Sequence, residues 1–266
     1  MDLLSVEEIR SHLSASAKDE NPEPTVLSTI DSTNAEALRN VEASRSGAAW
    51  FAEEQTAGRG RRGKRWVSPE KSNLYMSLLW KFDTPQAQLG GLSLAVGVTV
   101  AERLRAYGVL AVQLKWPNDI LVEGRKLGGI LLEMQVDKIG RTCVVVGVGL
   151  NINMSAGVES AIDQPWTDLN SLLSSSPRRN EIAASLLEDL SDCVRSFELQ
   201  GFAPFSEKWE QYDVLSGRSI RVFSGETTLF GTAAGVAENG ALNLRTDKGV
   251  QPIYGGEVSV RLVNDA

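Results

Sequence analysis

The chain has 266 residues, 42% hydrophobic and 23% charged, the make-up of a globular protein with room for one large domain and a small companion. Its formal net charge of -7 argues against a protein built to coat DNA or RNA. Two cysteines without CxxC spacing, Cys143 and Cys193, and a single histidine, His12, make a disulfide framework, a zinc site or a Ser-His-Asp or Cys-His nucleophile improbable. No apolar run reaches the roughly 18 residues of a membrane span and no signal-peptide pattern opens the sequence, so a cytoplasmic location is expected.

In chain order, Leu3, Leu4, Val6, Ile9 and Leu13 among polar residues predict an amphipathic helix over 3–17, which the proline-containing stretch 19–24 ends. A strand over 26–30 leads into Asp31-Ser32-Thr33-Asn34 and a helix over 35–43. Ser32 and Thr33 have two readings there. They cap the helix, or with Asn34 they turn hydroxyls and an amide toward a ligand beside a helix N-terminus.

A second strand, 48–53, runs through Gln55 into Gly58-Arg59-Gly60-Arg61-Arg62-Gly63-Lys64-Arg65-Trp66. Five cations in nine residues, separated by glycines, suit neither helix nor strand, so this segment is a predicted loop. The pattern alone leaves three uses open: a solvated surface loop, a track for a phosphate backbone, or a flap over a small anion. In the last, glycines let backbone N–H groups come close and guanidinium groups supply forked donors. A basic loop on an acidic body favours the compact anion over a long polyanion.

A strand over 73–80 and a broadly buried helix over 89–107 follow. A short strand, 112–115, breaks at Trp116-Pro117-Asn118-Asp119, because Pro117 cannot donate to a ladder. Strands 120–122 and 127–133 flank Glu123-Gly124-Arg125-Lys126, a hairpin signature. The Val-rich strand 142–152 exits at Asn151 and Asn153, and a polar loop, 155–166, closes on Trp166. Helices over 180–198 and 203–212 precede short alternating runs, 219–223, 228–233, 241–245, 251–254 and 258–262, that read as a small all-β barrel. The expected class is α+β: a mixed β-sheet with packed helices over 1–215, with an N-terminal helix and linker in 1–24, then a barrel over 216–266. The sheet should be mixed because a hairpin sits among helix-separated strands.

Five stretches, in this order, resemble the motifs of biotin protein ligases: Asp31-Ser32-Thr33-Asn34, Gln55 to Gly63, Lys115-Trp116-Pro117-Asn118-Asp119, Arg125-Lys126-Leu127-Gly128-Gly129-Ile130-Leu131, and Gly147-Val148-Gly149-Leu150-Asn151. The resemblance runs from about residue 30 to the C-terminus. It implies a catalytic core like that of class II aminoacyl-tRNA synthetases and biotin ligases, followed by an SH3-like barrel. It implies a reaction using ATP and Mg²⁺, in which biotin becomes biotinyl-AMP and passes to a lysine of a biotin carboxyl carrier domain of an acyl-CoA carboxylase or pyruvate carboxylase. A lipoate or octanoate ligase or transferase of the same fold is the alternative. The N-terminus lacks the winged helix of the bifunctional members, so the resemblance implies the monofunctional type, with no specific nucleic-acid or membrane partner.

By the same resemblance Lys126 and Arg61 are the catalytic residues. Ser32, Thr33, Asn34, Gln55, Gly58, Arg59, Gly60, Arg61, Lys126 and Gly129 are biotin contacts; Arg62, Trp66, Asn118, Asp119, Asn151 and Trp166 are nucleotide contacts, with Trp166 also readable as an ordinary core tryptophan. Metal ligands are not identified. Many members read Gly-Arg where this chain has Gly63, Lys64 and Arg65, and a lysine cannot fork two donors as arginine does. Joining two anions is the chemical difficulty: unit charges 4 Å apart repel by about 4 kcal/mol at an effective dielectric near 20. Converging cations would offset that. Three glycines and mutually repelling charges also predict that the loop is mobile without ligand.

Overall fold

The computed structural model describes residues 2–21, 23–83, 85–154, 162–175, 178–256 and 258–263. In chain order the elements are α1 (Val6–His12), α2 (Ala15–Glu20), β1 (Thr25–Ile30), α3 (Thr33–Arg39), β2 (Ala49–Gln55), β3 (Leu74–Phe82), α4 (Leu92–Ala106), β4 (Val112–Lys115), β5 (Asp119–Val122), β6 (Arg125–Val136), β7 (Thr142–Leu150), α5 (Leu169–Leu172), α6 (Arg179–Gln200), α7 (Ser206–Tyr212), β8 (Ser219–Ser224), β9 (Thr227–Val236), β10 (Leu242–Thr246), β11 (Gly249–Ile253) and β12 (Val258–Leu262). β1 to β7 form a seven-stranded sheet in the order β1-β2-β3-β7-β6-β5-β4. β1 and β2 pair parallel and β2 with β3 antiparallel, so the sheet is mixed, as the sequence predicts.

Side chains alternate across a strand, and β7 uses that alternation to build two environments. Val144, Val146, Val148 and Leu150 join the main core with Leu92, Val96, Val100 and Leu104 of α4 and Ile182, Leu186 and Leu190 of α6. Burying each such side chain is worth about 1.5–3 kcal/mol. Cys143 and Val145 point the other way and pack with Leu79, Ala37 and Val41. On that second face Gly147 and Gly149 continue the strand without side chains. Register sets Tyr75, Gly149, Gly129 and Asp119 side by side across four strands, with Ser77, Gly147 and Leu131 in the next row. The sheet is therefore filled under α3 and empty beyond it.

The five C-terminal strands form an antiparallel sheet in the order β11-β10-β9-β8-β12. Ile220, Val222, Leu242, Leu244 and Val258 join the main core, so the small sheet is packed to the large one. Its β9–β10 turn presses on the start of α4: a Cβ on Gly240 would stand 2.4 Å from the Gly91 Cα. Trp116 Nε1 donates to the Gly240 carbonyl at 3.0 Å and ties the same turn to the β4–β5 connection.

Several boundaries differ from the expectation, each for a local reason. The N-terminal helix is two helices, because Leu13 is extended and Ser14 caps α2 by accepting from Ala17 N–H. α3 starts two residues early, with Ser32 accepting from Ala35 N–H. α4 starts at Leu92 rather than Leu89 because Gly91 takes φ +87°. The expected helix over 203–212 opens as a 3₁₀ turn over Ala203–Phe205 holding Pro204. α5 was not expected. Among the described residues no helix is long and apolar enough to cross a membrane.

Candidate functional site

The empty part of the sheet opens into a cavity of about 340 Å³, within the ordinary range for small-molecule sites. Its floor is a buried polar network. Thr33 N–H and Oγ1 donate to Gln55 Oε1 at 2.9 and 3.2 Å, and Gln55 Nε2 donates to Ser68 Oγ at 3.0 Å. Ser77 Oγ lies 2.8 Å from Thr33 Oγ1 and 2.5 Å from Asn34 Oδ1. Gly147 makes room for this: a Cβ there would stand 2.2 Å from Asn34 Oδ1. Ser32 both caps α3 and lines the cavity, so neither reading of that residue excludes the other. Nearby, the hydrogen bond from Arg39 holds the Asp31 carboxyl down at about 2. Burial drives the cavity-lining Tyr75 phenol well above its usual range.

Lys126 enters from the start of β6. Its Nζ is 2.5 Å from Asp119 Oδ1 and 5.4 Å from the Trp66 ring centroid, and its side chain is 15% exposed. A strap holds its backbone: Lys126 N–H donates to the Pro165 carbonyl and Thr167 N–H to the Lys126 carbonyl, both at 2.9 Å, which brings Trp166 alongside. Asn151 Nδ2 bridges the Lys126 and Thr167 carbonyls at 3.3 and 3.1 Å. Asn118 Nδ2 donates to the Ile130 carbonyl, and its Oδ1 accepts from Arg61.

The predicted loop over 58–66 is a loop, pinched at its base by Trp66 N–H donating to the Gly58 carbonyl at 2.9 Å. Its tip is a 3₁₀ turn with Arg62 at φ +58°. Arg61 Nη2 donates to the carbonyls of Gly255, Gly256 and Val258, and Arg62 Nη1 to Ser259 Oγ, so the C-terminal sheet holds the tip. Arg59 pairs with Glu133 at 2.9 Å. Lys64 faces Asp163 at 3.7 Å in solvent, and Arg65 donates to the Thr56 carbonyl at 3.4 Å. Trp66 lies against the sheet where Gly129 and Gly149 leave space: a Cβ on Gly149 would stand 2.6 Å from its Cε2. The Trp66 indole N–H is buried without a partner among the described residues.

Comparison with known proteins decides the family. The biotin/lipoate A/B protein ligase family model matches residues 26–151, and the biotin protein ligase C terminal domain model matches 215–261. The bifunctional ligase/repressor BirA of Escherichia coli (strain K12) is 39% identical over 236 residues, covering 89% of this chain and 73% of that protein. The chain belongs to the biotin protein ligase family. A biotin--[acetyl-CoA-carboxylase] ligase of Paracoccus denitrificans is 33% identical over 88% of this chain and 98% of its own length. The biotin protein ligase of Aquifex aeolicus, solved in complex with biotin and ATP, superposes with a TM-score of 0.79 at 29% identity, over 91% of this chain and 99% of that one.

Of the family positions carried over by motif, the cavity gathers all but Gly58. Gly58 sits at the loop base, where a Cβ would stand 2.6 Å from the Trp66 carbonyl oxygen. The predicted polar loop over 155–166 lies at 155–161 outside the described residues. Sequence reading missed Tyr75, Lys115 and Met154, and Val258 to Arg261 of the C-terminal sheet, all of which line the cavity, and also Ser77, which is fully buried and hydrogen-bonds to the lining residues Thr33 and Asn34. A signal existed for Ser77, since a polar residue sits within a fully buried strand. None existed for the C-terminal residues, which reach the cavity only through sheet-to-sheet packing.

Proposed function

We propose that this chain is an ATP-dependent biotin protein ligase that forms biotinyl-AMP and passes biotin to a lysine of a biotin carboxyl carrier domain. The observation that carries this is one cavity combining a buried polar floor with a set of converging cations. Ser32, Thr33, Asn34 and Gln55 offer donors and acceptors suited to a polar ring. Lys126, Arg61 and Arg62 offer positive charge at the other end. In the first step a biotin carboxylate oxygen attacks the α-phosphorus of ATP and pyrophosphate leaves. Lys126 stands where it can release Asp119 and hold the incoming carboxylate and the α-phosphate, so that charge is stabilised as it develops. Arg61 and Arg62 then bear on the phosphates, and Trp66 and Trp166 are the aromatic surfaces for the nucleotide base. In the second step an acceptor lysine amine attacks the acyl carbon and AMP leaves. The loop covers the mixed anhydride, which water would otherwise hydrolyse.

Among the described residues no group of three or more metal-ligating side chains occurs. Mg²⁺ would arrive on the triphosphate, since this ion keeps few protein ligands; of the cavity-lining residues Asp119 would be its carboxylate, with Asn118 and Asn151 as supporting amides. Its chemistry there would be to neutralise charge on the leaving pyrophosphate. A cytoplasmic setting goes with this reading, and a specific nucleic-acid partner does not, because Arg61, Arg62 and Arg65 are turned onto protein oxygens and Arg59 and Lys64 onto carboxylates.

The test is incubation with ATP, Mg²⁺, biotin and an apo carrier domain, read by mass spectrometry. One biotin on one lysine is expected, with lipoate in place of biotin giving far less. No transfer, or a preference for lipoate, would overturn the reading.

A further inference from the structure

We infer that Glu133 is a positioning residue that holds the basic loop in place from behind, through Arg59. The inference rests on the biotin-adenylating reading above. Glu133 Oε2 lies 2.9 Å from Arg59 Nη2 and accepts from Asn34 Nδ2 at 2.9 Å. One carboxylate oxygen thus joins the loop, the rigid strand β6 and the first turn of α3. Asn34 in turn touches Ser77 on the cavity floor, so a continuous polar chain runs from the floor to the loop.

Glu133 does not itself line the cavity. It faces the open groove on the outer side of the loop, where Arg59 also surfaces. It lies opposite Val145, on the sheet face that carries α3. The loop tip has other anchors, Arg61 on C-terminal carbonyls and Arg62 on Ser259, and those tie it to a different sheet. Glu133 is the anchor of the arm that enters the loop. The Glu133 and Arg59 side chains are 25% and 39% exposed, so the pair contributes little to global stability. A half-exposed pair between a glycine-rich segment and a rigid strand instead sets how readily that segment lifts. Its removal should speed escape of ligand and adenylate while leaving the chemistry at Lys126 less affected.

The experiment is biotin-dependent ATP–pyrophosphate exchange, together with single-turnover escape of biotinyl-AMP. In Glu133→Ala, the KM for biotin and the escape rate are expected to rise about three- to tenfold, with a smaller change in kcat. Glu133→Gln, which keeps an acceptor but not the charge, should fall between. The effects of Arg59→Ala and Glu133→Ala should be less than additive in the double variant, because the two share one contact while Arg59 also lines the cavity. Wild-type KM and escape in Glu133→Ala, or fully additive effects in the double variant, would overturn the inference. If Glu133→Ala melts far below the parent, the same cycle is run on Glu133→Gln with the same criteria. Absence of exchange in the unsubstituted protein would instead overturn the adenylating reading itself, which keeps the two failures apart.

Discussion

The two faces of the large sheet hold the same kind of device for opposite ends. On the helix-covered face, Arg179 is fully buried and meets Glu53 at 2.7 Å, with its Nη1 on the Asp2 carbonyl and the Leu4 N–H on Glu53. On the cavity face, Lys126 meets Asp119 at 2.5 Å beside Trp66. The first pair has no space around it and ties the N-terminal segment to β2 and α6. The second borders a cavity, so Lys126 can exchange Asp119 for a ligand anion. The lesson is that an ion pair's role follows from the volume beside it more than from the pair.

Four measurements would break or sharpen this contrast. The largest effect is expected for Glu53→Ala, which strands Arg179 in the core and should destabilise by about 3–5 kcal/mol in denaturant melts. A loss under about 1 kcal/mol would mean that the pair is not architectural. Next, Lys126→Ala should slow adenylate formation by about 10²–10³-fold with an almost unchanged melting temperature, since its site is already open. A matching loss of stability would place Lys126 with Arg179 instead.

Asp213, at the end of α7, is the third case. Burial raises its carboxyl from the ordinary 3.8 to about 6, and its Oδ2 has no partner among the described residues. The native state therefore binds a proton that the unfolded chain has already released between these values. Stability from this group falls as pH rises from about 4 to about 6 and then levels. Asp213→Asn should flatten that slope and gain about 2 kcal/mol at neutral pH, read by melts at pH 4 and pH 7. An unchanged slope would rule out Asp213 as its source.

The smallest effect separates neighbours on one strand. Gly149→Ala should displace Trp66 and raise the KM for ATP by about tenfold with little change in melting, whereas Val148→Ala, facing the helices, should cost about 1–3 kcal/mol of stability and leave KM alone. The reverse pattern would contradict the two-face description.

Much of the fold was legible because strand alternation and helix spacing are local. The Val-rich run at 142–152 read as a strand, and the stretch from Glu123 to Lys126 as a hairpin turn, and the structure has β7 over Thr142–Leu150 and a turn between β5 and β6. The loop was legible as a loop because glycines and like charges exclude the regular alternatives. Element ends were less so: whether the backbone stops at Leu13 or starts at Thr33 rests on single capping contacts. At the site, Ser32 and Gln55 were readable from ordered motifs, while Glu133 carried no signal. A glutamate on a strand with mixed neighbours is ordinary until the loop 74 residues earlier is seen beside it.

The sequence by itself determined the class of the fold, the order of its elements and the concentration of positive charge between Gly58 and Trp66, since these depend on residues close along the chain. Only the tertiary structure decided which partners those charges meet, Glu133 for Arg59, the Gly256 and Val258 carbonyls for Arg61 and Ser259 for Arg62, and which carboxylate meets Lys126, namely Asp119. The physical reason is that such pairs join distant segments, and their meeting follows from strand order, register and sheet-to-sheet packing, which no local pattern encodes.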